Sequence, residues 1–208
     1  VLMGRMNLPA ELLMAIATQE LDNLPESLIE LATIKGQLLL EDPSVTEEER
    51  ARIELSVPYN LDAWDGYQFE REVLLNTAKQ LNKNLVVLAG DTHNAWASNL
   101  KDKDGHQIGV EFATASVTSP GLEGYLGLPP EMIPGAEQGI GVLVDDLEYL
   151  NISQRGYMLV TFTPDEARAD WRFVNTVKNR QYAMDAQAAT SLRVLPGDGN
   201  RRLESVAD

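Results

Sequence analysis

Leu85-Val86-Val87-Leu88-Ala89-Gly90-Asp91-Thr92-His93-Asn94 is the stretch that decides the fold. Its first five residues are apolar without a polar break, which predicts a short strand at Leu85–Ala89, central in its sheet and covered on both faces. Gly90 ends the strand. Asp91 and His93 then follow two positions apart, a hard oxygen donor and an imidazole at the carboxyl end of a strand. That is where open α/β sheets keep their ligand-binding groups. Asp91 and His93 are therefore the candidate metal ligands. The other histidine, His106, sits in a polar turn (KDKDGHQ) and reads as an exposed loop residue. Lys101 to Asp104 lacks the oxygen spacing of a calcium loop.

Working outward, residues 66–82 carry Tyr67, Leu74, Ala78 and Leu81 on one helical face, with Asp65 as the expected N-cap. A helix feeding a strand that ends in a ligand loop is half of a βαβ unit. Trp64, Tyr67, Asn94 and Trp96 flank the loop and are the candidate walls of a substrate pocket. Residues 1–6 predict a strand, 11–20 and 27–34 helices. Residues 41–54 form an acidic surface segment in which Thr46 and Glu49 make a capping box. Residues 108–115 predict a strand, and 121–134 are irregular. Residues 135–150 predict a helix from Ile140, Leu143, Val144, Leu147 and Leu150, although Gly139 and Gly141 weaken it by about 1 kcal/mol each. Residues 155–163 and 167–177 alternate as a β-hairpin around Pro164-Asp165. A last strand is expected at 191–195 within an otherwise uninformative C-terminal tail, 178–208.

The chain has 208 residues, 44% of them hydrophobic, enough for a core in one domain. Its net charge of −15 argues against a nucleic acid or an anionic membrane as partner, since both call for clustered Lys and Arg. Residues 1–58 hold 4 basic against 11 acidic side chains. With no cysteine there is neither a disulfide nor a thiolate metal site. Val1 opens the chain and Val1-Leu2-Met3 reads as the inside of a strand, so the expectation is a part of a longer protein, with any targeting signal upstream. Nucleotide fingerprints, P-loops, H-E-x-x-H and nucleophile elbows are all missing.

Five segments taken together, VLMGRM, YNLDAWDGY, NLVVLAGDTHNAWAS, VEFATASVTSPG and RGYMLVTFTPDEARADWRFV, resemble the alkaline phosphatase D family of metallophosphoesterases, in the family's order from residue 1 to about 177. The resemblance implies an α/β fold, the C-terminal half of a four-layer α-β-β-α sandwich. It implies a phosphate ester substrate, hydrolysed as a monoester or diester, and iron with calcium as cofactors of the intact enzyme. By resemblance His93 goes to iron and Asp91 to calcium. It also implies export to the periplasm or the extracellular space. The earlier ligands of the family lie in an N-terminal half that would precede VLMGRM. The chain is thus expected to need that half as a partner, to be inactive alone with no metal necessarily held, and to cover its bare sheet surface by forming a homodimer. The competing reading is a non-catalytic acidic α/β interaction module.

Overall fold

The computed structural model describes residues 2–20 and 23–206, which build a mixed α/β domain of three layers. The middle layer is a four-stranded sheet ordered β3-β5-β4-β6, from β3 (Leu85–Ala89), β4 (Ala95–Lys101), β5 (Gln107–Ala113) and β6 (Leu147–Asn151). Strand β3 runs parallel to β5, and the other pairs are antiparallel. The second sheet is antiparallel, ordered β10-β9-β8-β7, from β7 (Arg155–Phe162), β8 (Ala167–Val174), β9 (Met184–Val194) and β10 (Leu203–Ser205).

The two sheets meet through alternate residues. Ala95, Ala97, Val110 and Phe112 of one pack on Ala169, Trp171, Phe173 and Leu192 of the other. Trp171 is fully buried and stands edge-on to Phe112 with ring centroids 5.8 Å apart. Its Nε1–H donates to the Ala113 carbonyl at 2.9 Å, so the indole brings apolar area and leaves no polar atom unpaired. Side chains of this size contribute roughly 1.5–3 kcal/mol each when buried.

The opposite face of the first sheet is covered by helices α1 (Ala10–Thr18), α2 (Leu24–Leu39) and α6 (Ile133–Leu143) in one cluster. Helix α4 (Gln68–Gln80) covers it in another, where Leu75 meets Met3, Leu100 and Ile108. Gly139 of α6 lies against Leu28 of α2, and a Cβ there would stand 2.7 Å from its Cδ2. The glycine that weakens the helix locally is what lets the two helices approach. Helix α3 (Glu47–Glu54) carries the expected capping box, with Thr46 Oγ1 accepting from Glu49 N–H and the Glu49 carboxylate accepting from Thr46 N–H. No helix of the described residues is long and apolar enough to cross a membrane.

Several expectations are corrected. Strand β3 is not central: it lies at the sheet edge, half-buried, with Leu88 52% exposed. Its faces do meet both layers, Val86 toward the second sheet and Leu85 and Val87 toward α4. An apolar run reports covered faces and is silent about how many strands lie alongside. The helix expected over residues 135–150 ends at Leu143, and Leu147–Asn151 is strand β6. Asp146, with φ 66°, turns the chain between them. The tail expected over 178–208 holds all of β9 and β10.

The strand expected at residues 1–6 is absent; Val1 lies outside the described residues, and Leu2–Met6 is irregular. Its backbone pairs with buried side chains in place of a neighbouring strand. The Glu111 carboxylate accepts from Met3 N–H at 2.6 Å and Gly4 N–H at 3.0 Å. Arg71 Nε donates to the Met3 carbonyl at 2.8 Å. Asp65, expected as a helix cap, accepts from Met6 N–H at 2.9 Å. Gly4 permits the approach, since a Cβ would lie 2.9 Å from Ser98 Cβ. Short strands β1 (Asn7–Pro9) and β2 (Ser56–Pro58) pair just beyond.

Glu111→Ala leaves two buried N–H groups unpaired and is expected to cost about 2–4 kcal/mol in urea unfolding of the chain. Burial raises the Glu111 carboxyl above its ordinary 4.5, against the lowering effect of the Met3 and Gly4 N–H groups. A raised folded value makes the folded state the better proton binder. The stability Glu111 contributes is therefore greatest in acid and falls as pH rises from 4.5 through the folded value. The stability gap between wild type and Glu111→Gln is expected to shift in that direction across the same window.

Candidate functional site

Strand β3 ends at Ala89, whose carbonyl accepts from Thr114 N–H, and the chain then leaves the sheet as Gly90-Asp91-Thr92-His93-Asn94. Asp91 and His93 both have left-handed backbone, at φ 74° and 64°. Non-glycine residues adopt that conformation at a cost of order 1–2 kcal/mol, and two so close together need a surrounding that holds them. That surrounding is a set of hydrogen bonds. Asn94 is buried; its Nδ2 donates to the Thr92 carbonyl and its Oδ1 accepts from Leu122 N–H, each at 2.8 Å. Trp96 Nε1 donates to Thr92 Oγ1 at 3.1 Å. His93 Nδ1 lies 3.0 Å from the Pro120 carbonyl. A carbonyl can only accept, so Nδ1 carries the proton and Nε2 keeps its lone pair for a cation.

The loop borders a cavity of about 160 Å³. Its lining mixes polar residues, Asn60, Asp62, Asp91, Thr92 and His93, with apolar ones, Leu2, Met6, Trp96 and Leu122. Tyr59 and Tyr125 complete the lining. Burial first, and the neighbouring Tyr125 phenol second, raise the Tyr59 hydroxyl above its ordinary value. The Tyr125 ring lies 22° from parallel to the His93 imidazole with centroids 6.5 Å apart. No hydrogen bond or ion pair among the described residues engages the Asp62 or Asp91 carboxylate. Carboxylate oxygens and an imidazole nitrogen are donor types that suit calcium and iron.

Of the residues nominated from sequence, Asp91, His93, Asn94 and Trp96 border this cavity, whereas Trp64 and Tyr67 do not. Trp64 packs beside Met3 and Leu75, and Tyr67 is half-exposed at the start of α4. Asp62 and Tyr125 were not nominated. For Asp62 a signal existed, since Asn60 and Asp62 stand two apart in YNLD, the spacing of Asp91 and His93.

Among the described residues, one group of three candidate donors converges, and it lies elsewhere. Asp102, Asp104 and His106, at the β4–β5 turn, have ligand atoms within 4.8 Å of one another. His106 is exposed in this turn, as expected, and its Nδ1 lies 3.0 Å from Asp102 Oδ2. A cation is already there: Lys79 Nζ sits 2.8 Å from Asp102 Oδ2 and 2.9 Å from His106 Nδ1. A metal ion would have to displace that ammonium.

Three comparisons place the chain among known proteins. The sequence model of a family described as PhoD-like phosphatase matches residues 18–171. Alkaline phosphatase D of Bacillus subtilis (strain 168) is 35% identical over 136 residues, covering 63% of this chain and 22% of that protein. A solved structure of PhoD superposes with a TM-score of 0.57 at 28% identity, covering 72% of this chain and 27% of that one. The chain therefore spans about a quarter of the length of these relatives.

Burial opposes ionisation of Asp102, but Lys79 and the His106 and Asp104 N–H groups outweigh it and hold the carboxyl well below its ordinary 3.8. A lowered folded value stabilises the fold above 3.8, and the contribution is lost as pH falls below it. Asp102→Asn is expected to cost about 1.5–3 kcal/mol at neutral pH. Acid unfolding curves of the variant and wild type should converge below pH 3.8.

Proposed function

The chain belongs to the PhoD-like phosphatase family, and from that membership we propose that it is the C-terminal part of a metal-dependent phosphoric ester hydrolase, whose later metal ligands are Asp91 and His93. The observation that carries the reading is the pair of left-handed residues, Asp91 and His93, facing one cavity with the imidazole Nδ1 committed to Pro120. Strain of this kind persists where a site needs a side chain aimed against local preference.

Hydrolysis in this class draws on cations that polarise the phosphoryl oxygens and acidify the attacking water. His93 would present Nε2 to iron, and Asp91 a carboxylate oxygen to calcium, with Asp62 as a further oxygen donor across the cavity. Asn94 and Trp96 act on the loop: by bridging Thr92 to Leu122 and by bonding Thr92 Oγ1 they keep the two ligand positions fixed. The remaining donors would come from an N-terminal half that also supplies the fourth, helical layer over the outer face of the second sheet, where Tyr157 and Leu159 are exposed. Without that half, the same face or the open edge of β3 is where a second copy would pair. Export to the periplasm or the exterior belongs to the same proposal.

The competing reading, a non-catalytic acidic module, is favoured by one observation. Among the described residues no third donor joins Asp91 and His93 at ligating distance, and the group that does converge is sealed by Lys79. Two measurements separate the readings. Calcium and iron uptake by the chain, followed by calorimetry, is expected to fall at least tenfold in His93→Ala and Asp91→Asn; unchanged uptake would sink the ligand assignment. Hydrolysis of p-nitrophenyl phosphate and its bis ester by the chain alone is expected at the rate of buffer. Turnover that is lost in His93→Ala would instead show the site to be complete.

A further inference from the structure

Arg201 is a cation that the fold buries without a counter-charge. It follows the turn at residues 196–200 and is 6% exposed. Its Nε donates to Asn84 Oδ1 at 3.3 Å and its Nη2 to Asn82 Oδ1. Both acceptors are neutral carboxamides. Among the described residues no acceptor meets the two N–H groups of Nη1, and no carboxylate pairs with the guanidinium. The other two buried arginines of the described residues, Arg71 and Arg155, each have a glutamate, Glu72 and Glu123. A guanidinium taken out of water with no anion beside it is costly, and its planar fork matches an oxyanion.

The same residue borders a cavity of about 300 Å³ at the start of β3. This is the opposite end of the strand from the ligand loop, roughly 15 Å away at about 3.3 Å per residue. Its walls are mostly apolar: Leu85 and Val86 of β3, Phe162 of β7, Val194 of β9, and Leu195. Glu166 is the one carboxylate in the lining, and Arg193 lies 3.5 Å from it. Small-molecule sites have this make-up, an apolar wall with a few polar groups that fix orientation. Inorganic phosphate would leave the apolar wall unused, and a neutral hydrocarbon would leave Arg201 without a charge partner.

We propose that this cavity binds a carboxylate with an apolar body, its oxygens on Arg201 Nη1 and its alkyl or aryl part against Leu85, Val86 and Phe162. The inference stands apart from the hydrolase reading, since it uses neither the ligand loop nor a metal.

The test is a calorimetric titration of the full chain with octanoate, octan-1-ol, acetate and inorganic phosphate, with amide NMR shifts to place the site. Octanoate is expected to saturate one site and to shift the amides of Asn84, Val86 and Leu195. Octan-1-ol lacks the charge and acetate lacks the chain. Each is expected to bind at least tenfold more weakly, the effect of losing a charged hydrogen bond or several buried methylenes. Arg201→Gln should bring octanoate down to the level of octanol. Phe162 is 60% exposed, so Phe162→Ala spares the fold. It should weaken octanoate and octanol alike, by about fivefold, and keep their ratio. Equal binding of octanoate and octanol to wild type, or octanoate binding indifferent to a folded Arg201→Gln, would overturn the site. Octanoate binding unchanged in Phe162→Ala would do the same, and that variant decides the matter where Arg201→Gln does not fold. Phosphate binding as tightly as octanoate would overturn the carboxylate assignment, and amide shifts confined to the ligand loop would remove the site from this cavity.

Discussion

Glu111 is the side chain on which the arrangement turns. It is fully buried in β5 and points away from the sheet–sheet core, where its carboxylate takes the place of a strand neighbour for Met3 and Gly4. Arg71 and Asp65 complete the substitution, one donating to the Met3 carbonyl and the other accepting from Met6. Burial works against ionisation of all three, raising the two carboxyl values and lowering the guanidinium. Such a cluster is costly to assemble and more costly to break, because removing one member strands the others. What it fixes is the path of Leu2–Met6, and Leu2 and Met6 are walls of the cavity at the ligand loop.

The local signals in the sequence read well where one interaction decides the outcome. The Thr46–Glu49 capping box depends on residues three apart, and the structure forms it. The β7–β8 hairpin follows from alternation around a Pro-Asp turn. The loop after β3 was legible because Gly90 ends an apolar run. What failed depended on distant partners. Leu147 and Leu150 fit a helical period as well as a strand, and pairing with β4 decides for the strand. An apolar opening segment reads as a strand, but its hydrogen bonds go to Glu111, Arg71 and Asp65, which lie 59 to 108 positions away. No local pattern encodes that.

The site was legible in half. A carboxylate and an imidazole at a strand end can be read from ten residues. Their left-handed backbone cannot, nor can the arrival of Asp62 and Tyr125 from segments before α4 and after β5. Tyr67 and Trp64 look equivalent to Trp96 as aromatics near the loop. They diverge because Asp65 is drawn inward to Met6, which turns Trp64 toward the cluster under α4 and leaves Tyr67 outside.

The ligand loop is also coupled to the far sheet. The His93 carbonyl accepts from Ser116 N–H, and the Ser116 carbonyl accepts from Gly156 N–H at the start of β7. Next to Gly156, Arg155 is buried and pairs with Glu123, one residue beyond the Leu122 that Asn94 holds. The loop is therefore closed into a ring of contacts: β3 to His93, His93 to Ser116, Ser116 to β7, β7 to Glu123, and back through Leu122 to Asn94. Strain at Asp91 and His93 is held by this ring and not by the loop alone. Since Trp171 locks the two sheets through Ala113, three residues before Ser116, the packing between sheets sets where the two ligand side chains can stand.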